Sequence, residues 1–136
     1  MRFTLRNDPD EIGRIPGLLN DFATQNEIPA STTARLNLIL EELVTNVISY
    51  GFDGGECERI EIDLKKESDS VHFRFLDNGK PYNPLETGSP DITLGLDDRT
   101  PGGLGIHLIR EMSDQITYKF SDGWNQLQIQ LSHLET

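Results

Sequence analysis

The stretch "RIEIDLKKESDSVHFRFLDNG", residues 59–79, decides the architecture. Ile60, Ile62 and Leu64 alternate with Glu61, Asp63 and Lys65, and after a turn at "SDS" the same period returns in Val71, Phe73 and Phe75. Successive side chains of a strand point to opposite faces, so each run has one apolar and one polar face. That is the pattern of an antiparallel sheet covered on one side only. Counting on by twos, Asp77 falls on the covered face, where a carboxylate is costly unless it accepts hydrogen bonds or meets a ligand donor. Asn78-Gly79 is also a plain turn signal. That reading accounts for those two residues and leaves open why a long loop follows instead of a partner strand.

The pattern extends outward in both directions. Residues 2–7 alternate with Phe3 and Leu5 on one face; Ile116, Tyr118 and Phe120 lead through "SDG" into Leu127, Ile129 and Leu131. Between the first strand and residue 59 the period is helical. Ile12, Ile15, Leu18, Leu19 and Phe22 mark one helix, in which Pro16 either kinks the segment or starts its main part. A second helix, capped by Ser31 or Thr32, runs to Tyr50 and stops at Gly51. Residues 104–113 predict a third. The fold class is α/β: a two-layer sandwich whose mixed, mostly antiparallel sheet is covered on one face by about three helices. Residues 81–103, rich in Pro, Gly and Asp, are too long for a simple connection and predict a lid or binding loop.

Composition narrows the function. The chain has 136 residues, enough for a single domain spanning 1–136 with one real core. Twelve basic against 23 acidic residues give a net charge of −11, which repels nucleic acid, and no basic stripe offers a local exception. An anionic small ligand is still compatible where backbone N–H groups or a cation supply the positive end. No apolar run approaches the roughly 20 residues of a membrane span, and "MRFTLRNDPDEIG" has no secretory apolar core. Cys57 is alone, so neither a disulfide framework nor a thiolate metal cage is expected, and the cytoplasm is the natural compartment. No metal-ligand spacing joins His72, His107 and His133.

Within "ILEELVTNVISYGF", residues 39–52, Leu36, Leu40, Leu43 and Val47 point toward the sheet. Glu42 and Asn46 sit one turn apart on the border of that stripe, and Glu41 faces solvent. A border glutamate bonded to something local would also explain Glu42. In "PGGLGIHLIR", Gly102, Gly103 and Gly105 precede the third helix. They let the backbone approach a ligand at a helix start, or they are plain hinges. There is no Walker A lysine loop and no H-R-D set of ordinary protein kinases.

In order, a helix with E-x-x-x-N, a strand ending in D-x-G, a lid and a G-x-G helix start resemble the N, G1 and G2 boxes of the GHKL ATPase superfamily. "EELVTNVISYGF", "DNGKPYNPL" and "GGLGIHLIREMSDQITYKFSDGWNQLQI" look like its compact branch, the bacterial anti-sigma-factor serine/threonine kinases. The resemblance runs from about residue 8 to 132 and implies a Bergerat-type ATP-binding fold with ATP and Mg²⁺ as cofactors. It makes Asn46 the metal ligand, one amide oxygen suiting an ion that keeps waters and phosphate oxygens. Glu42 becomes the general base toward an attacking hydroxyl, either of a protein serine or threonine or of a water. Asp77 accepts the adenine amino group, Gly79 lets the purine approach, and Gly103 and Gly105 form the lid hinge and phosphate-binding helix start, where Leu104 and Ile106 pack or donate backbone N–H groups. The implied partners are a small anti-sigma-antagonist (STAS-type) protein as substrate, a sigma factor, and a second copy of the chain. A non-catalytic ATP-dependent protein-binding switch of the same fold is the alternative. Tyr50 departs from the histidine common at the end of the N box. The branch's threonine near the final strand is replaced within "WNQLQ", where Asn125 and Gln126 stand as alternatives. Arg99 reads as a solvated loop charge.

Overall fold

A computed structural model describes residues 1–48, 59–79, 81, 83, 85 and 109–132. Strands β1 (Arg2–Arg6), β2 (Arg59–Glu67), β3 (Ser70–Asp77), β4 (Gln115–Ser121) and β5 (Trp124–Ser132) form one sheet in the order β1-β2-β3-β5-β4. Every described pairing is antiparallel. Helices α1 (Ile15–Asn26) and α2 (Ala30–Asn46), together with helical residues 109–112, supply the residues that cover one face. This is the two-layer α/β sandwich of the Bergerat, or GHKL, ATP-binding fold.

The alternation sets the layers. Phe3, Leu5, Ile60, Ile62, Leu64, Val71, Phe73, Phe75, Leu127, Ile129 and Leu131 are buried against Ile15, Leu19, Phe22, Leu36, Ile39, Leu40, Leu43, Val44 and Ile109. Burying each such side chain stabilises by about 1.5–3 kcal/mol. The opposite face is polar: Lys65 pairs with Glu67 at 2.8 Å, His72 lies 3.5 Å from the same carboxylate, and Arg74 donates to Gln126 at 3.2 Å.

Two tight hairpins organise the sheet. Between β4 and β5, Asp122 and Gly123 both take positive φ (56° and 84°), the Asp-Gly geometry whose twist matches the flanking strands. Between β2 and β3 the turn places Ser68 at φ 50°. The two hairpins join through the β3–β5 pairing, which sets Asp77 opposite Asn125. The Arg59 guanidinium lies 6.0 Å from the ring centre of Trp124, linking the start of β2 to the start of β5.

A short 3₁₀ turn (Pro9–Arg14) leads into α1, and Pro16 occupies the first turn of that helix, where its missing N–H is harmless. Glu11 in the 3₁₀ turn is 4% exposed and accepts from Arg14 at 2.5 Å and Arg6 at 2.9 Å, tying β1 to the helical layer. Helix α2 begins earlier than the expected Ser31 or Thr32 cap. Its N-cap is Pro29, without a side-chain cap bond, and the first turn closes through Thr33 N–H to the Pro29 carbonyl at 3.0 Å. The hydroxyl of Thr32 meets Arg35 instead, at 3.4 Å. The α-helical ladder ends at Asn46, and residues 47–48 carry a wider π-type turn; the expected end at Tyr50 and Gly51 lies outside the described residues. None of the described helices is long and apolar enough to cross a membrane.

Candidate functional site

The unusual group in the core is Asp77. It lies at the end of the central strand β3 on the covered face, 7% exposed, in phase with Val71, Phe73 and Phe75 as the alternation requires. Its Oδ1 accepts the Gly79 N–H at 3.1 Å and the Asn125 amide Nδ2 at 3.0 Å. Both donors fall on the same oxygen, and Oδ2 accepts no hydrogen bond from the described residues. Burial pushes the Asp77 carboxyl above the usual aspartate range, while the Asn125 amide and the Gly79 N–H pull it back. One carboxylate oxygen thus has two donors within the fold, and the other has none among the described residues.

Asn78 and Gly79 do not turn the chain into a neighbouring strand. Asn78 Oδ1 instead accepts from Arg59 N–H at 3.1 Å, so "DNG" closes the end of the β2–β3 pair, and Gly79 is buried beside the carboxylate. Sequence reasoning left Asn125 and Gln126 as alternatives. Asn125, 5% exposed, is the one that reaches Asp77; Gln126 lies on the other face, with Arg74. Stepping back by twos from Leu131, Ile129 and Leu127 reaches Asn125 on the covered face, which is the signal that separates them. Tyr118 on β4 was read only as a strand residue; its hydroxyl donates to Asn125 Oδ1 at 2.5 Å.

Glu42 and Asn46 stand one turn apart on the last turns of α2, both partly buried. Glu41 was expected in solvent and is instead partly buried as well. Ile39 and Val44 widen the apolar stripe on both sides, so Glu41 and Glu42 flank it from opposite edges. Among the described residues no three His, Cys, Asp or Glu side chains gather into a metal cage. A hard cation held by one amide oxygen and a ligand's own oxygens needs none, and Asn46 fits that donor type.

The opposite end of β5 is tied to the helical layer. On α2, Arg35 donates to the Ser132 carbonyl at 2.8 Å, and its other terminal nitrogen lies 3.5 Å from the Met112 carbonyl. Asp114 N–H reaches the Gln130 carbonyl at 2.9 Å. Leu85, at the root of the expected lid, packs against the core. Its N–H is held by Asn83 Oδ1 at 2.9 Å and its carbonyl accepts from Arg110. Gly103, Leu104, Gly105 and Ile106, with Tyr50, Cys57, Arg99, His107, His133 and most of the lid, lie outside the described residues.

The Histidine kinase-like ATPase domain model matches residues 5–131. The chain belongs to that family. Among its relatives, the chain is 32% identical over 109 residues to the serine/threonine-protein kinase BtrW of Bordetella bronchiseptica, covering 80% of this chain and 77% of that protein. It is 28% identical over 117 residues to the serine-protein kinase RsbW of Listeria monocytogenes, covering 82% and 73%. The histidine kinase domain of the Erythrobacter litoralis blue-light activated histidine kinase superposes with a TM-score of 0.53 at 15% identity. The match covers 91% of this chain and 60% of that longer domain, and it shows the shared fold. The family's ATPase fold and the open oxygen of Asp77 thus coincide at one end of β3.

Proposed function

We propose that this chain, as a single ATP-binding domain of 136 residues, is a serine/threonine protein kinase that uses Mg-ATP to phosphorylate a small anti-sigma-antagonist (STAS-type) protein. The observation that carries the nucleotide reading is the buried Asp77 carboxylate with both protein donors on Oδ1 and none from the described residues on Oδ2. An exocyclic amino group supplies the missing donor, and a buried acceptor left without one costs about 1–3 kcal/mol. Gly79, buried alongside and lacking a side chain, leaves room for a flat base against the backbone.

The remaining roles follow from family membership and the chemistry of the side chains. Asn46 would hold Mg²⁺, which when bound would neutralise charge on the phosphates. Gly103, Leu104, Gly105 and Ile106 bring backbone N–H groups to the phosphate tail. Glu42, one turn from Asn46, takes the proton of the attacking hydroxyl as its oxygen bonds to the γ-phosphorus and ADP leaves. The kinase names of BtrW and RsbW support a hydroxyl acceptor. The resemblance of its motifs to the anti-sigma-factor kinases supports the further reading of a cytoplasmic homodimer that exchanges between its substrate and a sigma factor, and so regulates transcription through partner switching.

The test incubates the protein with labelled Mg-ATP and candidate STAS-type proteins. Label transfer to serine or threonine that is lost in Glu42→Gln, with ATP binding retained, is the expected result. ATP binding without transfer to any candidate supports the non-catalytic switch instead, and absence of ATP binding by the folded protein overturns both.

A further inference from the structure

The Asn125 amide has two ends of nearly equal size and opposite polarity, so its orientation has to be fixed by its neighbours. On one side stand two acceptors, Asp77 Oδ1 at 3.0 Å and the Gly79 carbonyl at 3.5 Å, and they require the NH₂ end. On the other side the Tyr118 hydroxyl lies 2.5 Å from Oδ1. Tyr118 pairs across the sheet with Leu127, so it is a diagonal neighbour of Asn125, within reach of an aromatic side chain. Its ring packs against the core from the edge strand.

We infer that Tyr118 is a positioning residue for base recognition. Its hydroxyl pins the Asn125 amide with Nδ2 toward Asp77, so the pocket floor presents Asp77 Oδ2 as an acceptor and selects a 6-aminopurine over a 6-oxopurine. The inference rests on the ATP reading and adds to it the residue that sets selectivity. A 6-oxo group would bring its own acceptor against a carboxylate oxygen, whereas a 6-amino group brings the donor the oxygen lacks. Removing the phenol oxygen takes the hydroxyl donor from Asn125 Oδ1 in a side chain only 5% exposed. The NH₂ end stays with its two acceptors, but the amide loses the contact that fixes its plane, so Asp77 is held less firmly toward a 6-amino group. Discrimination narrows.

Tyr118→Phe keeps the packed ring and removes only the hydroxyl. Calorimetry with Mg-ATP and Mg-ITP on both proteins should show ATP affinity falling by roughly three- to tenfold, the range of one hydrogen bond. The preference for ATP over ITP should narrow by about tenfold. In the nucleotide-free proteins, NMR should show two distinct, exchange-protected Asn125 side-chain amide protons in the wild type and weaker protection in Tyr118→Phe. An unchanged ATP-to-ITP ratio in the variant, or an unprotected Asn125 amide in the wild type, overturns the inference while leaving ATP binding intact. Failure of the wild type to bind ATP sinks the nucleotide reading itself, so the two failures are distinguishable.

Discussion

Asp77→Asn separates binding from stability. The substitution keeps the shape of the side chain, and the new amide oxygen can still accept from Gly79 N–H and Asn125 Nδ2, now at 3.1 and 3.0 Å from Oδ1. What changes is the other atom, where an NH₂ donor replaces Oδ2. A ligand amino group then loses a hydrogen bond to a charged acceptor, about 1.5–3 kcal/mol, and two donors face each other in a buried place for about 1–3 kcal/mol more. Together these give a loss of about 2.5–6 kcal/mol, or roughly seventyfold to twenty-five-thousandfold in ATP affinity. Stability should move the other way. Burial raises the Asp77 pKa in the folded protein, so between its unfolded and folded values the folded chain holds the extra proton and wild-type stability falls as pH rises. Above the folded value the full penalty persists; below the unfolded value it is absent. A neutral asparagine has no such titration, so the variant should gain on the wild type between acidic and neutral pH. Calorimetry with Mg-ATP and urea melts across that pH range measure both quantities. ATP affinity within about fivefold of the wild type, or a variant that loses ground to the wild type as pH rises, would refute the reasoning.

Glu11→Gln tests the opposite linkage. Arg14, then Arg6, hold the Glu11 carboxyl below the usual range, so its stabilisation is full above the unfolded glutamate value and disappears as pH falls through the folded one. The variant should melt lower than the wild type at neutral pH and converge with it in acid, as followed by circular dichroism. Asn46→Ala should remove the magnesium dependence of ATP binding while leaving adenosine binding within about twofold, since one amide ligand is lost and the base site is untouched. A magnesium titration identical to the wild type's would remove Asn46 from the metal.

Much of this was legible in the sequence because the strand period is two and the sheet is covered on one face. That arithmetic placed Phe73, Phe75 and Asp77 together on the buried side, and the structure has them there. It applies equally to Asn125, but the partner of Asn125 depends on β3 pairing with β5, strands separated by residues 78–123, a stretch that includes β4 as well as the expected lid and third helix. No local pattern encodes that register. The Ser31 or Thr32 cap failed because a proline at 29 allowed the helix to begin without a side-chain cap. The solvent position of Glu41 failed because Ile39 and Val44 made the buried stripe broader than the four residues first counted. The placement of Gly103 to Ile106 lies outside what the structure describes.

The two hairpins have a kinetic consequence. Each closes across a two-residue turn and can form early, whereas β3–β5 and β1–β2 must bridge long intervening segments, and such non-local pairings form slowly. Asp77 and Asn125 meet only when the hairpins zip together, so their contact is absent from any intermediate that has the hairpins alone. Trp124, the single tryptophan, sits at that seam with Arg59 over its ring. Its fluorescence during refolding should therefore time the joining of the two hairpins, not the earlier formation of each.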